Sequence, residues 1–116
     1  MAHDVLSKAA LLARMDNDPG LLGDVIDLFL KHLPQVMDRL RQAVASGDAE
    51  QLRQAAHRLR GGLVQFEVHS CVAGAQELER IGASGDLASA APVTAELEAA
   101  MANLVPALEA LRGDLV

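Results

Sequence analysis

The chain has no tryptophan, no tyrosine, only two phenylalanines and a single cysteine among 116 residues. Without exposed aromatic rings there is no platform on which unpaired bases could stack. A formal net charge of −6 leaves little basic surface for a phosphate backbone, so nucleic acid is not an expected partner. The lone Cys71 can form neither an intramolecular disulfide nor a Cys-based zinc site, and a structural, half-buried thiol is expected there. A di-iron bundle would need inward carboxylates and a Glu-x-x-His motif, which does not occur, and no nucleophile elbow supports a hydrolase. No metal and no cofactor is therefore expected on this chain itself. The opening Met-Ala-His-Asp has no basic, apolar leader character, and no apolar run approaches the length of a membrane span. A soluble, cytoplasmic domain without membrane contact is expected, whether it stands alone or comes from a longer protein.

What the chain does have is aliphatic: 51% of its residues are hydrophobic, mostly Ala, Leu and Val, with Asp, Glu and Arg between them. Its length suits one domain, residues 1–116, with one modest core. Apolar residues recur at threes and fours, the signature of amphipathic helices, and strand-like alternation is absent. The spacing predicts a short helix over Asp4 to Met15, closed by Asp16-Asn17-Asp18-Pro19-Gly20. A long helix follows from Leu21 to Val44, with a bend expected at Pro34. Asp48 caps a third helix that runs to about Phe66, and Glu67 to Ser70 reads as a connection. A fourth helix spans about Cys71 to Ile81. Gly82-Ala83-Ser84-Gly85-Asp86 reads as a turn, and a last helix covers Ala90 to Leu111. Short connections favour antiparallel neighbours. The expected fold is all-α: an antiparallel, up-down-up-down four-helix bundle with a short extra N-terminal helix over one end.

Within the third helix, Leu52, Ala55, Ala56, Leu59, Leu63 and Phe66 form the apolar stripe, and at roughly 100° per residue His57 falls about 150° from its centre. Arg53, Arg60, Gly61 and Val64 share its sector. An imidazole is thus presented to solvent beside two guanidinium groups, with no side chain on the next turn. Arg offers charge and a fixed fork of donors to phosphate oxygens, and Gly lets a bulky partner come close, so the group suits the handling of a phosphoryl. The other histidines lack this setting. His3 is terminal, His32 lies just before Pro34, and His69 falls in the connection, the latter two reading as solvated or capping residues.

The run Ala55-Ala56-His57-Arg58-Leu59-Arg60-Gly61-Gly62 resembles the signature of histidine-containing phosphotransfer domains, His-x-Leu-Lys-Gly followed by a small residue, with Arg60 where Lys is commoner. Leu78-Glu79, Arg80 and the Gly85-Asp86 turn stand at the family's spacing on the following helix, and Leu28-Phe29-Leu30 and the helix order also fit. One departure is Glu67, which stands where many members have a glycine at the close of the histidine helix. The exit from that helix is expected to differ, using one more helical residue.

The resemblance implies that His57 accepts a phosphoryl group on Nε2 from a receiver-domain aspartate and passes it to the aspartate of another receiver in a multistep phosphorelay. The domain would be a carrier and not an enzyme, the receiver supplying Mg²⁺, its acidic pocket and its own Lys. Arg60, with Arg53 and Arg58, would neutralise the transferred phosphoryl. Nδ1 of His57 must then carry the proton, and Glu79 is the implied acceptor, with Gln76 one turn earlier as its rival. Gly61 would leave a notch for the receiver loop and Gly62 would deepen it, while Val64 and Ala56 would form a contact patch. The partners implied are the receiver domains of a hybrid sensor kinase and a downstream regulator, bound by a monomer. The alternative from a different class is a helical docking or dimerisation module, a degenerate relative in which His57 is merely exposed. An acidic regulator of a basic partner fits less well, because the arginines make this face locally positive.

Overall fold

Capping chemistry marks out the helices. In the computed structural model, which describes residues 6–115, the Ser7 hydroxyl accepts from the Ala10 amide at 3.2 Å and starts α1, Lys8–Arg14. Asp18 accepts from the Leu21 amide at 3.1 Å, with Pro19 at the first helical position of α2, Pro19–Ser46. Asp48 accepts from the Gln51 amide at 3.0 Å and starts α3, Ala49–Val64. Each carboxylate or hydroxyl satisfies a backbone donor that the first turn leaves without a partner. Helices α4, His69–Ser84, and α5, Ala90–Gly113, begin without such a bond. Left-handed Gly47 and Gly85 terminate α2 and α4, a backbone conformation that costs glycine little. No strand occurs among the described residues.

The order of contacts defines the bundle. Helix α3 packs on α2 and most extensively on α4, while α5 packs on α4 and returns to α2. The end of α5 meets the start of α2 through Arg112, which donates to Asp27 at 3.0 and 3.2 Å, so these two run antiparallel, as do their neighbours across short connections. This is the expected up-down-up-down bundle. Helix α1 buries Leu11 and covers one end, where Lys8 donates to the Asp114 carbonyl at 3.0 Å and Arg14 approaches Glu67 at 3.7 Å. The core is aliphatic apart from Phe66, whose ring meets Phe29 edge to face at 5.1 Å, one of the favoured aromatic geometries.

Several expected boundaries move. The predicted start of the first helix, Asp4 and Val5, lies outside the described residues, as does His3, and α1 proper begins at Lys8. Helix α2 continues through Pro34 without interruption, with that residue exposed, where water can meet the carbonyl deprived of its donor. Helix α3 ends at Val64 rather than Phe66, and the connection is residues 65–68. His69 and Ser70 therefore belong to α4, not to the connection. Cys71, its third residue, is buried rather than half-buried. Glu67 has φ +57°, so the chain leaves α3 through the left-handed conformation a glycine would take, and not by one more helical residue.

The largest revision concerns Gly82, expected in a turn and found buried inside α4. A Cβ at Gly82 would lie 2.6 Å from the Arg53 amide nitrogen and 2.8 Å from the Ala49 carbonyl oxygen. Those atoms are backbone and cannot swing away, so α3 and α4 touch here main chain to main chain. Gly61 is the opposite case, with nothing within 4 Å of an added Cβ. Gly82→Ala should therefore destabilise the protein by about 1–3 kcal/mol, the usual cost of overpacking. Gly61→Ala should stabilise it by about 1 kcal/mol, the helix-propensity difference. Urea denaturation of both variants checks the pair, and equal responses would contradict the packing account.

Candidate functional site

His57 stands on α3 with 61% of its side chain exposed. Its Nδ1 donates to Oε2 of Glu79 on α4 at 2.9 Å, while Nε of Arg60, one turn further along α3, donates to Oε1 at 2.7 Å. Each carboxylate oxygen thus has its own donor. Arg60 Nη2 also lies 3.1 Å from His57 Nδ1. Nδ1 cannot offer a proton to Glu79 and a lone pair to Arg60 at once. The carboxylate decides the matter, because when ionised it can only accept. Glu79 is held below the usual carboxylate range, chiefly by the hydrogen bond from Arg60, with desolvation opposing and the bond from His57 adding to the lowering. An ionised Glu79 therefore keeps the proton on Nδ1, and Nε2 is the nitrogen left with a lone pair on an exposed ring.

The remaining candidates separate into those near the ring and those elsewhere. Arg53, Gln54, His57, Arg58 and Gly61 line a shallow hollow of about 450 Å³. Arg53 is tied to Glu50 by Nε at 2.7 Å and by a second, shorter contact from Nη2. Arg58 is exposed and makes no ion pair among the described residues. Val64 is exposed, as expected of a contact residue, about two turns beyond His57. Ala56 is fully buried, part of the stripe that α3 turns to the core, and it cannot form part of a contact patch. Gly62 does not deepen the notch either. An added Cβ there would lie 2.9 Å from Phe29 Cδ1, so this glycine receives the α2 aromatic ring and belongs to the helix packing. Gln76 is exposed and makes no hydrogen bond to His57. Of the two candidates, Glu79 is the one that meets the ring.

The structure adds a feature the sequence pattern passed over. A groove of about 400 Å³ runs between α2 and α3, lined among others by Val25, Leu28, Phe29, His32, Arg58 and Gly62. Leu28 is 56% exposed. It is an apolar residue off the buried stripe of α2, and that signal, the same one that singled out Val64, could have found it. Because Arg58 lines both depressions, the groove adjoins the hollow before His57. Among the described residues no cluster of His, Cys, Asp and Glu could hold a metal ion, and no helix is long and apolar enough to cross a membrane.

A family model described as the Hpt domain matches residues 24–110. The chain belongs to this family, the helical modules that carry a phosphoryl group on histidine. Among solved structures it is similar to histidine-containing phosphotransfer protein B from Pseudomonas aeruginosa PAO1, at a TM-score of 0.84 and 22% identity, covering 94% of this chain and 95% of that one. That likeness reports the fold. A search of curated proteins gives no match.

The Glu79 pairing carries a pH signature. A carboxyl whose folded value is depressed contributes stability in full above its unfolded value and loses it as pH falls through the folded one. The stability gap between the wild type and Glu79→Gln should thus shrink as acid passes below the ordinary carboxylate range, and side-chain ¹³C NMR should find the Glu79 midpoint there. Arg60→Ala should move that midpoint up. A midpoint unaffected by Arg60 would contradict the cause assigned to it.

Proposed function

We propose that this domain is a phosphorelay intermediate in which His57 takes a phosphoryl group from the phospho-aspartate of one receiver domain and yields it to the aspartate of another. The observation that carries the reading is the exposed imidazole whose Nδ1 is engaged by an ionised carboxylate, so that Nε2 is the available nucleophile. In the transfer, the Nε2 lone pair forms the P–N bond as the P–O bond to the receiver aspartate breaks, and that carboxylate leaves as an anion. The ring keeps its Nδ1 proton and becomes a phosphorylated imidazolium, whose positive charge faces Glu79. Transfer back out reverses each change.

Such a step depends on positioning and charge neutralisation more than on covalent chemistry by the protein. The receiver would bring Mg²⁺, its acidic pocket and its own Lys, and this chain the arginines around His57. The open notch at Gly61 suits the approach of the receiver's loop. The groove beside Leu28 supplies apolar area for the same partner, of the kind expected at an interaction surface. A monomer acting in the cytoplasm fits this role, since one exposed face serves one receiver at a time.

The test is phosphoryl transfer from a panel of Mg²⁺-phosphorylated receiver domains to the wild type, His57→Gln and Gly61→Gln, scored for an acid-labile, base-stable adduct. The wild type should be labelled, His57→Gln should not, and Gly61→Gln should lose at least tenfold in rate, about 1.4 kcal/mol of barrier, with its helix content intact. Folded wild type that no receiver labels would favour a docking module, for which His57 is dispensable.

A further inference from the structure

Three arginines surround His57, and they are not equivalent. Arg60 gives Nε to Glu79 Oε1 and brings Nη2 against the Nδ1 side of the ring. It does not line the hollow before the imidazole, whereas Arg53 and Arg58 do. Arg53 is bound to Glu50 through two of its nitrogens. Arg58 has no ion pair among the described residues and borders both the hollow and the neighbouring groove. The guanidinium that stands in the motif's usual cationic position is thus committed to the carboxylate, and that of Arg58, next to His57 in sequence, is free to meet an incoming anion.

We propose that Arg60 is a positioning residue that acts on His57 through Glu79, and that Arg58 is the cation that faces the transferred phosphoryl. This rests on the relay reading for its second half; the first half concerns the unphosphorylated protein alone. The physical reason is the shape of the contact. Oε1 is pinned by Arg60 and Oε2 by His57, so the carboxylate plane cannot turn about its last bond without breaking a hydrogen bond. A planar, always-charged fork holds such a geometry better than a flexible ammonium. Without Arg60 the carboxylate can rotate away. The neutral imidazole is then free to place its proton on Nε2, and in that tautomer the nucleophilic lone pair is gone.

Two measurements decide this. The first is ¹⁵N NMR of the imidazole nitrogens at neutral pH in unphosphorylated wild type, Arg60→Ala, Arg60→Gln and Arg58→Ala, the Gln variant keeping most of the aliphatic stem should Ala unfold the helix end. Both Arg60 variants should raise the Nε2–H population and Arg58→Ala should not. The second is the transfer rate from a phosphorylated receiver in single and double variants. Arg60→Ala and Glu79→Gln should each lose on the order of tenfold, as expected for an orienting partner, and the double variant no more than Glu79→Gln alone. Arg58→Ala combined with Glu79→Gln should instead show the product of the single losses, as independent sites do. An unchanged tautomer in the Arg60 variants, or multiplying losses for Arg60 and Glu79, would overturn the proposal. If no receiver labels the wild type, the relay reading fails, and the tautomer populations still decide whether Arg60 acts through Glu79.

Discussion

The contact at Gly82, where the backbones of α3 and α4 meet with no side chain between them, is the constraint on which the site depends. Side chains that separate two helices can repack and let the axes drift, but main chain against main chain leaves no such slack. Glu79 lies one turn before Gly82 on α4, and His57 and Arg60 lie one to two turns beyond the Arg53 it touches on α3. The reach of the carboxylate to the imidazole is therefore set by the closeness of the helices. Because the helices are fixed, ordering the Glu79 side chain costs only its own rotamers. On the side of α3 that faces α2, the Phe29 ring is seated on Gly62, a side-chain contact rather than a backbone one, so the histidine helix is packed closely on both sides.

Charge pairing sorts the surface around this clamp. Three pairs of similar geometry, Asp38 with Arg41, Glu50 with Arg53 and Glu77 with Arg80, lie three residues apart on exposed helix faces. Exposed pairs of this kind add little to stability. Their consequence here is chemical, since each occupies a guanidinium that would otherwise be available to an anion. In a chain with net charge −6, the acidic side chains thus do more than balance the books: they decide which cations remain free next to His57. That Arg58 is one of them follows from its position, with no acid paired to it among the described residues.

Most of the architecture was legible because two independent signals agreed. The threefold and fourfold apolar repeat marked α2 and α3, and Asp48 marked where α3 starts, whereas Asp18, read as part of a turn, proved to be the cap of α2, which begins at Pro19 and not Leu21. Legibility failed where the signals were missing or shared. Helix α4 begins after Val68, which offers no capping oxygen, so nothing in the sequence announced His69 as helical. Gly82 sits in Gly-Ala-Ser-Gly-Asp, a composition that reads as a turn, yet the first glycine serves packing and only the second ends the helix. Gly61 and Gly62 are adjacent and identical in sequence, but one faces open space and the other an aromatic ring. Ala56 lies at the edge of the stripe, where a small rotation separates core from surface. For the site, the exposure of His57 followed from periodicity, and the pairing with Glu79 came from the family resemblance. The commitment of Arg60 to that carboxylate was not readable, since a long side chain selects its partner only once two helices stand side by side.

A carrier is constrained from a direction that an enzyme is not, because it must release what it accepts. Every strong contact to a phosphoryl on Nε2 that is absent in the transfer state would deepen the phosphohistidine well and slow the outward step. The arrangement around His57 is of the kind this constraint calls for on the relay reading. In that reading Glu79 would act on the ring and not on the phosphoryl, facing the imidazolium from the Nδ1 side, with its carboxyl held below the usual range chiefly by Arg60. Arg53 is offset by Glu50. What remains near the hollow is one guanidinium without an ion pair among the described residues, that of Arg58, and an open place at Gly61. On the relay reading the acidic residues beside the motif would be part of its function, because by pairing with two of the three arginines they would leave fewer cations to hold the phosphoryl and so ease its exchange.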